Sequence, residues 1–411
     1  MSLRWPDTVR DLVCVLCGHA SEDPWQWACP DCGPDARMDV RYVADAPARM
    51  AAALSGRPRD HWRYRELMPI GPEAQLPPVQ VGWSPVSEAP SLAGWLGVRR
   101  VAVKDDGRNP SASMKDRASA VGVVLARQAG RERIVCASTG NAASSTACIA
   151  ASVGLGATIF VPRRAPAPKI AQLRVFGAQV FRVDADYDRT WELCAEVAAT
   201  RPWFNRNCAA NPYLVEGKKT VTLELAEQLG PTLPAWVAVS VGDGCTVAGV
   251  VKGLEEAHAA GLSPHVPRVL AVQAQGAAPL VHAFEQGRPF RPEPAESVAD
   301  SICVGSPRNP DKALQAVKRC GGHWIAVSDE AILQALVEVP RRSGVFGEPA
   351  GIAAAAGVRQ AVRDGIVGPG EDVALLVTGN GLKDTATALE VVGGPMDVAP
   401  SVAAVLEALE A

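Results

Sequence analysis

The sequence predicts an α/β protein, with two doubly wound parallel-sheet domains and a small N-terminal zinc ribbon. Three observations predict it. Short, uninterrupted apolar runs alternate with helical periods from about residue 101 onward, as parallel strands covered on both faces require. Glycine-rich turns follow several of those runs where a helix should begin. Two Cys-x-x-Cys pairs stand near the N-terminus.

The ribbon comes first in the chain. Cys14-Val15-Leu16-Cys17 and Cys29-Pro30-Asp31-Cys32 are each followed by a glycine, Gly18 and Gly33. Two such knuckles can place four thiolates tetrahedrally around one zinc ion, the glycines permitting tight turns beneath it. Cys14, Cys17, Cys29 and Cys32 would leave no open coordination position, so the expected zinc is structural. Asp11, Glu22, Asp23, Asp31 and Asp35 outnumber the nearby bases, which favours a packing role over nucleic-acid binding. Residues 1–45 are assigned to this ribbon.

Residues 44–92 are rich in Ala, Pro and Arg and read as a linker with one helix, leading into Trp62-Arg63-Tyr64-Arg65-Glu66-Leu67-Met68-Pro69. Residues 46–117 are taken as this linker plus the first part of a large domain, with Val101-Ala102-Val103 as a strand. A small α/β domain is expected over 118–210. Its strands are Ile134–Ala137, Ala157–Val161 and Gln179–Val183, and its helices Ala142–Val153, Pro168–Phe176 and Thr190–Ala199. The remainder of the large domain, 211–411, shows strands at Trp236–Val241, Val269–Gln273 and Val373–Val377, and a loop at 288–295.

With 411 residues, the chain can build two domains with sizeable cores. Its 48% hydrophobic and 21% charged content is that of a globular protein. A formal net charge of −3 gives no electrostatic case for nucleic acid or anionic membrane as a partner. No apolar run reaches membrane-spanning length, and the N-terminus does not read as a signal peptide. Of eleven cysteines, four have metal spacing and the others are scattered singly, which suits a reducing cytoplasm better than disulfides.

In such sheets ligands bind beyond the carboxyl ends of strands, where glycine-rich loops enter helices. Three loops qualify. Ser138-Thr139-Gly140-Asn141 follows one strand, Gly242-Asp243-Gly244-Cys245-Thr246 a second and Thr378-Gly379-Asn380-Gly381 a third. Upstream, Lys115 in Asn109-Pro110-Ser111-Ala112-Ser113-Met114-Lys115 stands where a loop can turn into a helix. Held away from water there, its amine would be lowered in pKa and made nucleophilic. Each feature alone also reads blandly, as a tight turn or as a surface lysine beside Asp105, Asp106 and Asp116. All four together are hard to explain as turns.

These motifs, with Asn211-Pro212-Tyr213-Leu214-Val215-Glu216-Gly217-Lys218-Lys219-Thr220, Val304-Gly305-Ser306-Pro307 and Glu348-Pro349-Ala350, resemble the fold-type-II pyridoxal-phosphate enzymes of the tryptophan synthase β-like superfamily. The chain is most similar to their threonine synthase branch. The resemblance implies that Lys115 carries the pyridoxal 5′-phosphate and shuttles the proton. It implies that Asn141 bonds the cofactor's 3′-oxygen and that the backbone of Gly242, Asp243, Gly244, Cys245 and Thr246 holds its phosphate. Thr378 would meet the pyridine nitrogen with a hydroxyl, which does not hold the ring protonated. Ser138 and Thr139, beside Asn141, would receive the substrate carboxylate. The implied partners are a small amino-acid substrate and a second copy of the chain, as a homodimer.

Departures from the branch concern the substrate half. A serine and an arginine that usually flank Asn-Pro and hold a substrate phosphate are here Ala209 and Leu214. Neither can donate the charge-assisted hydrogen bonds a dianion needs, each worth roughly 1.5–3 kcal/mol. Lys218, Lys219 or Arg308 could compensate from elsewhere. Asp243 replaces the usual asparagine and must turn away from a phosphate or pair, for example with Lys252. Met114 replaces a phenylalanine, and Ala112 a glycine. The expected activity is therefore elimination or replacement at the β or γ carbon of an amino acid, with a substrate other than ordinary phosphohomoserine. Threonine synthase proper, a serine/threonine dehydratase and a catalytically idle scaffold stand as alternatives.

Overall fold

A four-stranded antiparallel sheet opens the chain in the computed structural model, which describes residues 3–163, 165 and 167–410. Its strands are β1 (Val9–Cys14), β2 (Ala20–Ser21), β3 (Ala28–Cys29) and β4 (Gly33–Tyr42), ordered β2-β1-β4-β3. Ala36, Met38 and Val40 are buried at every second position of β4, the alternation expected of a strand with one covered face.

The stretch that reads as a linker is instead packed structure. It holds α1 (Ala46–Ala53), a 3-10 segment over His61–Leu67, β5 (Val86–Glu88) and α2 (Pro90–Leu96). Trp62, Tyr64, Leu67 and Met68 are buried. Arg63 secures the segment to a later helix through Glu227 (Nη2 to Oε1, 2.6 Å). Irregular backbone has neither the 3.6 nor the 2.0 period, so its burial leaves no periodic trace in the sequence.

From here strands and helices alternate: β6 (Arg100–Asp105), α3 (Lys115–Gln128), β7 (Arg133–Ala137), α4 (Asn141–Ser152), β8 (Gly156–Pro162), α5 (Ala167–Val175), β9 (Gln179–Val183), α6 (Tyr187–Thr200) and β10 (Phe204–Asn205). Strands β7 to β10 form a parallel sheet ordered β10-β7-β8-β9. Helix α6 starts three residues before the expected Thr190, because the Asp186 carboxylate accepts the Arg189 N–H at 2.9 Å and caps it there.

The chain continues with α7 (Tyr213–Lys218), α8 (Thr220–Leu229), β11 (Trp236–Ser240), α9 (Cys245–Ala259), β12 (Arg268–Ala274), α10 (Pro279–Glu285), α11 (Pro310–Arg319) and β13 (His323–Val327). It ends with α12 (Asp329–Ser343), α13 (Pro349–Arg363), β14 (Asp372–Val377), α14 (Thr385–Val392) and α15 (Val402–Glu410). The larger sheet runs β13-β12-β11-β14-β6-β5, parallel except for its antiparallel edge β5. The chain moves outward from β11 to β12 and β13, then returns to lay β14 on the other side of β11. That reversal makes a switch point, where side-by-side strand ends leave a crevice. Among the described residues no helix is long and apolar enough to cross a membrane.

A buried charge network ties this frame together. Arg117 of α3 meets Asp106 Oδ1 and Oδ2, both at 2.7 Å, and Glu224 Oε1 of α8 at 2.5 Å. Lys104 of β6 reaches the other Glu224 oxygen at 2.8 Å. Helix α3, which begins at Lys115, is thereby fixed against both β6 and α8.

Candidate active site

The carboxyl ends of β6, β14 and β11 lie side by side, and that of β7 faces them from the smaller sheet. Between them lies a cleft of about 480 Å³. Its lining includes Lys115, Ser138, Thr139, Asn141, Gly242, Asp243, Gly244, Cys245, Thr246 and Thr378. Each of the three loops thus reaches the same cavity as Lys115. A second chamber of about 310 Å³ shares Thr139, Asn141 and Glu348 with it and extends to Lys383.

Lys115 is held by its neighbours on the chain. The Met114 N–H donates to Thr378 O at 2.9 Å, and the Asn380 N–H to Ala112 O at 3.0 Å. These bonds stitch the loop before α3 to the loop after β14, which fixes Lys115 and Thr378 relative to each other. Ala112 adopts φ +64° within that loop. A left-handed conformation costs a residue with a Cβ roughly 1–2 kcal/mol, so the alanine is less neutral than its size suggests. Burial pushes the Lys115 amine below its usual range, and the Lys218 charge adds to the effect. Desolvation of this kind favours the uncharged, nucleophilic form of an amine.

Asn141 begins α4 and donates from Nδ2 to Glu348 Oε1 at 2.5 Å. Burial raises the Glu348 carboxyl. Ser138 Oγ accepts the Gly140 N–H at 3.1 Å, which shapes the turn that presents Thr139. The loop of Gly242 to Thr246 forms a cup. Gly244 sits at φ +87° directly before α9, where a Cβ would come within 2.7 Å of Asn309 O. Only glycine fits. The backbone N–H groups of residues 242–246 find no acceptor among the described residues, and they stand at a helix N-terminus, where anions are stabilised.

Asp243 turns away from this cup: its Oδ1 accepts the Arg308 N–H at 3.3 Å and its carbonyl the Asn309 N–H at 3.0 Å. Lys252, the partner expected for it, is committed elsewhere, to Val40 O at 2.6 Å, Glu216 Oε1 at 2.7 Å and Asp39 Oδ1 at 3.1 Å. Helix α9 carries Lys252 toward the ribbon strand β4, two turns from the cup. Lys219 is also unavailable to a ligand, held by Glu216 at 2.6 Å and Glu256 at 2.8 Å. Leu214 is fully buried and Ala209 nearly so, and neither is among the cleft-lining residues.

The cleft also collects Lys218, which the sequence offered as a compensating base, and residues given no role there. Arg206, Cys208 and Lys218 line it, as do Tyr187 and Trp191 of α6 and Glu348 before α13. Glu348 and Lys218 stood inside quoted motifs, so a signal existed. Arg206 and Tyr187 carried none. The Cys14, Cys17, Cys29 and Cys32 sulfurs, none of them in the cleft lining, lie within 4.8 Å of one another and could hold a metal ion.

A family model described as pyridoxal-phosphate dependent enzyme matches residues 79–379, the span that contains the cleft. The chain belongs to that family. Within it the chain is 33% identical to a threonine synthase of Methanosarcina acetivorans, over 97% of this chain and 98% of that one. It is 37% identical to a threonine synthase of Mycobacterium tuberculosis, over 80% and 89% respectively. Among solved structures, diaminopropionate ammonia lyase of Escherichia coli superposes with a TM-score of 0.66 at 15% identity, over 95% of this chain and 97% of that one. Threonine deaminase isoform 2 of Solanum lycopersicum gives 0.64 at 20% identity, over 75% and 87%. These two likenesses show the shared fold. The protein is a pyridoxal-phosphate-dependent, threonine synthase-like enzyme, a carbon–oxygen lyase that acts at the β or γ carbon of an amino acid. The cleft suits that cofactor: a desolvated lysine, a cup of N–H groups unpaired among the described residues, and a hydroxyl at Thr378 in the same lining.

Proposed function

We propose that Lys115 carries the cofactor, with its phosphate in the cup of Gly242, Asp243, Gly244, Cys245 and Thr246. Thr378 meets the pyridine nitrogen and Asn141 the 3′-oxygen, for which Asn141 exchanges part of its bond to Glu348. When bound, pyridoxal phosphate supplies the electron sink that acidifies the α-proton of an amino acid. Ser138, Thr139 and Asn141 receive the substrate carboxylate through hydroxyls, an amide and the N-terminus of α4. Lys115, its amine lowered by burial, takes the α-proton and can return one at a neighbouring carbon. Thr378 offers a hydroxyl where a carboxylate would hold the ring protonated, so the electron sink is moderate and elimination or replacement is favoured.

The observation that carries this reading is the convergence of Lys115, Asn141, Thr378 and the five-residue cup on one cleft. The substrate is an amino acid whose leaving group is not held at the positions of Ala209 and Leu214. Threonine synthase proper remains the second reading, favoured by the relatives' printed names. Loading with pyridoxal phosphate should give the absorbance of a lysine-bound cofactor in the wild type and not in Lys115→Ala. A panel of serine, threonine and O-phosphohomoserine then separates the readings. Release of threonine and phosphate from O-phosphohomoserine supports threonine synthase, and a 2-oxo acid from threonine supports a dehydratase. Equal absorbance in Lys115→Ala would overturn the assignment.

We further take residues 46–117 and 211–411 as a doubly wound large domain and 118–210 as a small one. The four cysteines are read as a structural zinc ribbon, the assembly as a homodimer and the compartment as the cytoplasm.

A further inference from the structure

Two cations in the cleft are assigned no contact with cofactor or substrate, although the Lys218 charge helps lower the Lys115 amine. Arg206, just past β10, and Lys218, the last residue of α7, both line it and are 0% and 1% exposed. Arg206 Nε donates to Ser119 Oγ at 3.1 Å and Nη1 lies 3.9 Å from Cys208 Sγ, while Nη2 is buried without a partner. Lys218 Nζ donates to the same Cys208 sulfur at 2.9 Å, its one hydrogen-bond partner among the described residues. No carboxylate pairs with either cation there. The Cys208 thiol, which a Cys245 hydrogen bond and the two cations hold well below its usual range, is the one anionic group among the described residues that touches them, and a guanidinium presents donors in a fork that matches planar or tetrahedral oxyanions.

We propose that Arg206 and Lys218 form an oxyanion subsite for a phosphate or sulfite-like group carried by the substrate or by the second reactant. Ala209 and Leu214 give no such site, and the cup of N–H groups already accounts for the cofactor phosphate. Cys208 sulfur lies between the two cations, where an arriving oxyanion displaces it. The subsite deepens the proposed function and rests on it, since it places the anion beside the lysine that would carry the cofactor.

The test uses the cofactor-loaded protein, with inorganic phosphate and sulfite as probes in calorimetric titrations. Arg206→Gln and Lys218→Gln should each weaken phosphate binding about tenfold or more, as loss of one charge-assisted bond implies, with cofactor content unchanged. Phosphate that competes with O-phosphohomoserine identifies a leaving-group pocket. Phosphate that binds together with serine identifies the second reactant's pocket, and either result supports the subsite. Absence of probe binding in the wild type, or unchanged affinity in both variants, overturns it. So does a loss of cofactor affinity in their place, which would assign the cations to the cofactor phosphate. A protein that never loads the cofactor fails the earlier reading instead. If the two variants do not fold, Cys208→Ala keeps both cations and removes the competing sulfur. It should bind phosphate several-fold more tightly, and unchanged or weaker binding counts against the subsite.

Discussion

Single residues in this chain are tuned chiefly by burial. Lys115, proposed to carry the cofactor, is one case, its amine lowered by loss of water and by the Lys218 charge. His61 is a structural one. It is fully buried, neither ring nitrogen has a hydrogen-bond partner among the described residues, and burial, helped by Arg117, pushes it down to about 3. Below pH 6.5 the unfolded chain takes up a proton at this site that the folded protein refuses until about pH 3. Stability is therefore lost as pH falls through that window, by up to roughly 5 kcal/mol. His61→Leu should narrow the gap between urea midpoints measured at pH 7 and pH 4.5. An unchanged gap would mean that this histidine does not set acid lability. None of this was legible beforehand, because a lone histidine in an irregular segment carries no pattern.

At the scale of elements, close approach decides which substitutions the packing tolerates. Gly217 of α7 lies against α3, where an added Cβ would come within 2.1 Å of Arg117 O and 3.0 Å of the Ala118 Cα. Backbone cannot rotate aside as a side chain can, so Gly217→Ala should destabilise by about 3 kcal/mol or more, at or beyond the upper end for overpacking. A denaturant midpoint unchanged within error would refute that estimate. The ribbon gives a second test. If the four cysteines hold zinc, a strong chelator should release about one metal ion per chain and expose the β1–β4 sheet to protease before the rest. Chelator-treated protein with undiminished protease resistance would leave the sheet standing on its own core. Strand positions were readable here because parallel strands buried on both faces are continuous apolar runs. The capped start of α6 was not, since Asp186 precedes the apolar period, and Tyr187 therefore entered the cleft unannounced.

Across the whole molecule, the Arg117, Glu224, Asp106 and Lys104 network links the helix of Lys115 to the sheet beneath it. Burial alone would raise the Glu224 carboxyl, yet Arg117 and Lys104 hold it at about 2. Removing one member strands the others, so Glu224→Leu should cost about 3–5 kcal/mol. It should also weaken cofactor retention, because α3 then loses its fixed position over β6. Equilibrium unfolding and retained absorbance after gel filtration measure the two effects separately. Full stability in this variant would show that the network sets no position.

By itself the sequence determined the alternation of strand and helix, the three cleft-lining loops and the lysine beside them. Each of these is local: apolar continuity, glycine where a loop enters a helix, and hydroxyl or amide residues at the turn. It also showed that Ala209 and Leu214 cannot hold a phosphate. Tertiary structure alone decided what stands around them. Asp243 pairs with the backbone at Arg308 rather than with Lys252, Asn141 meets Glu348 across 207 residues, and Arg206 joins Lys218 at one sulfur. Those partners come from different sheets and helices, and only the folded chain brings them within reach of one another.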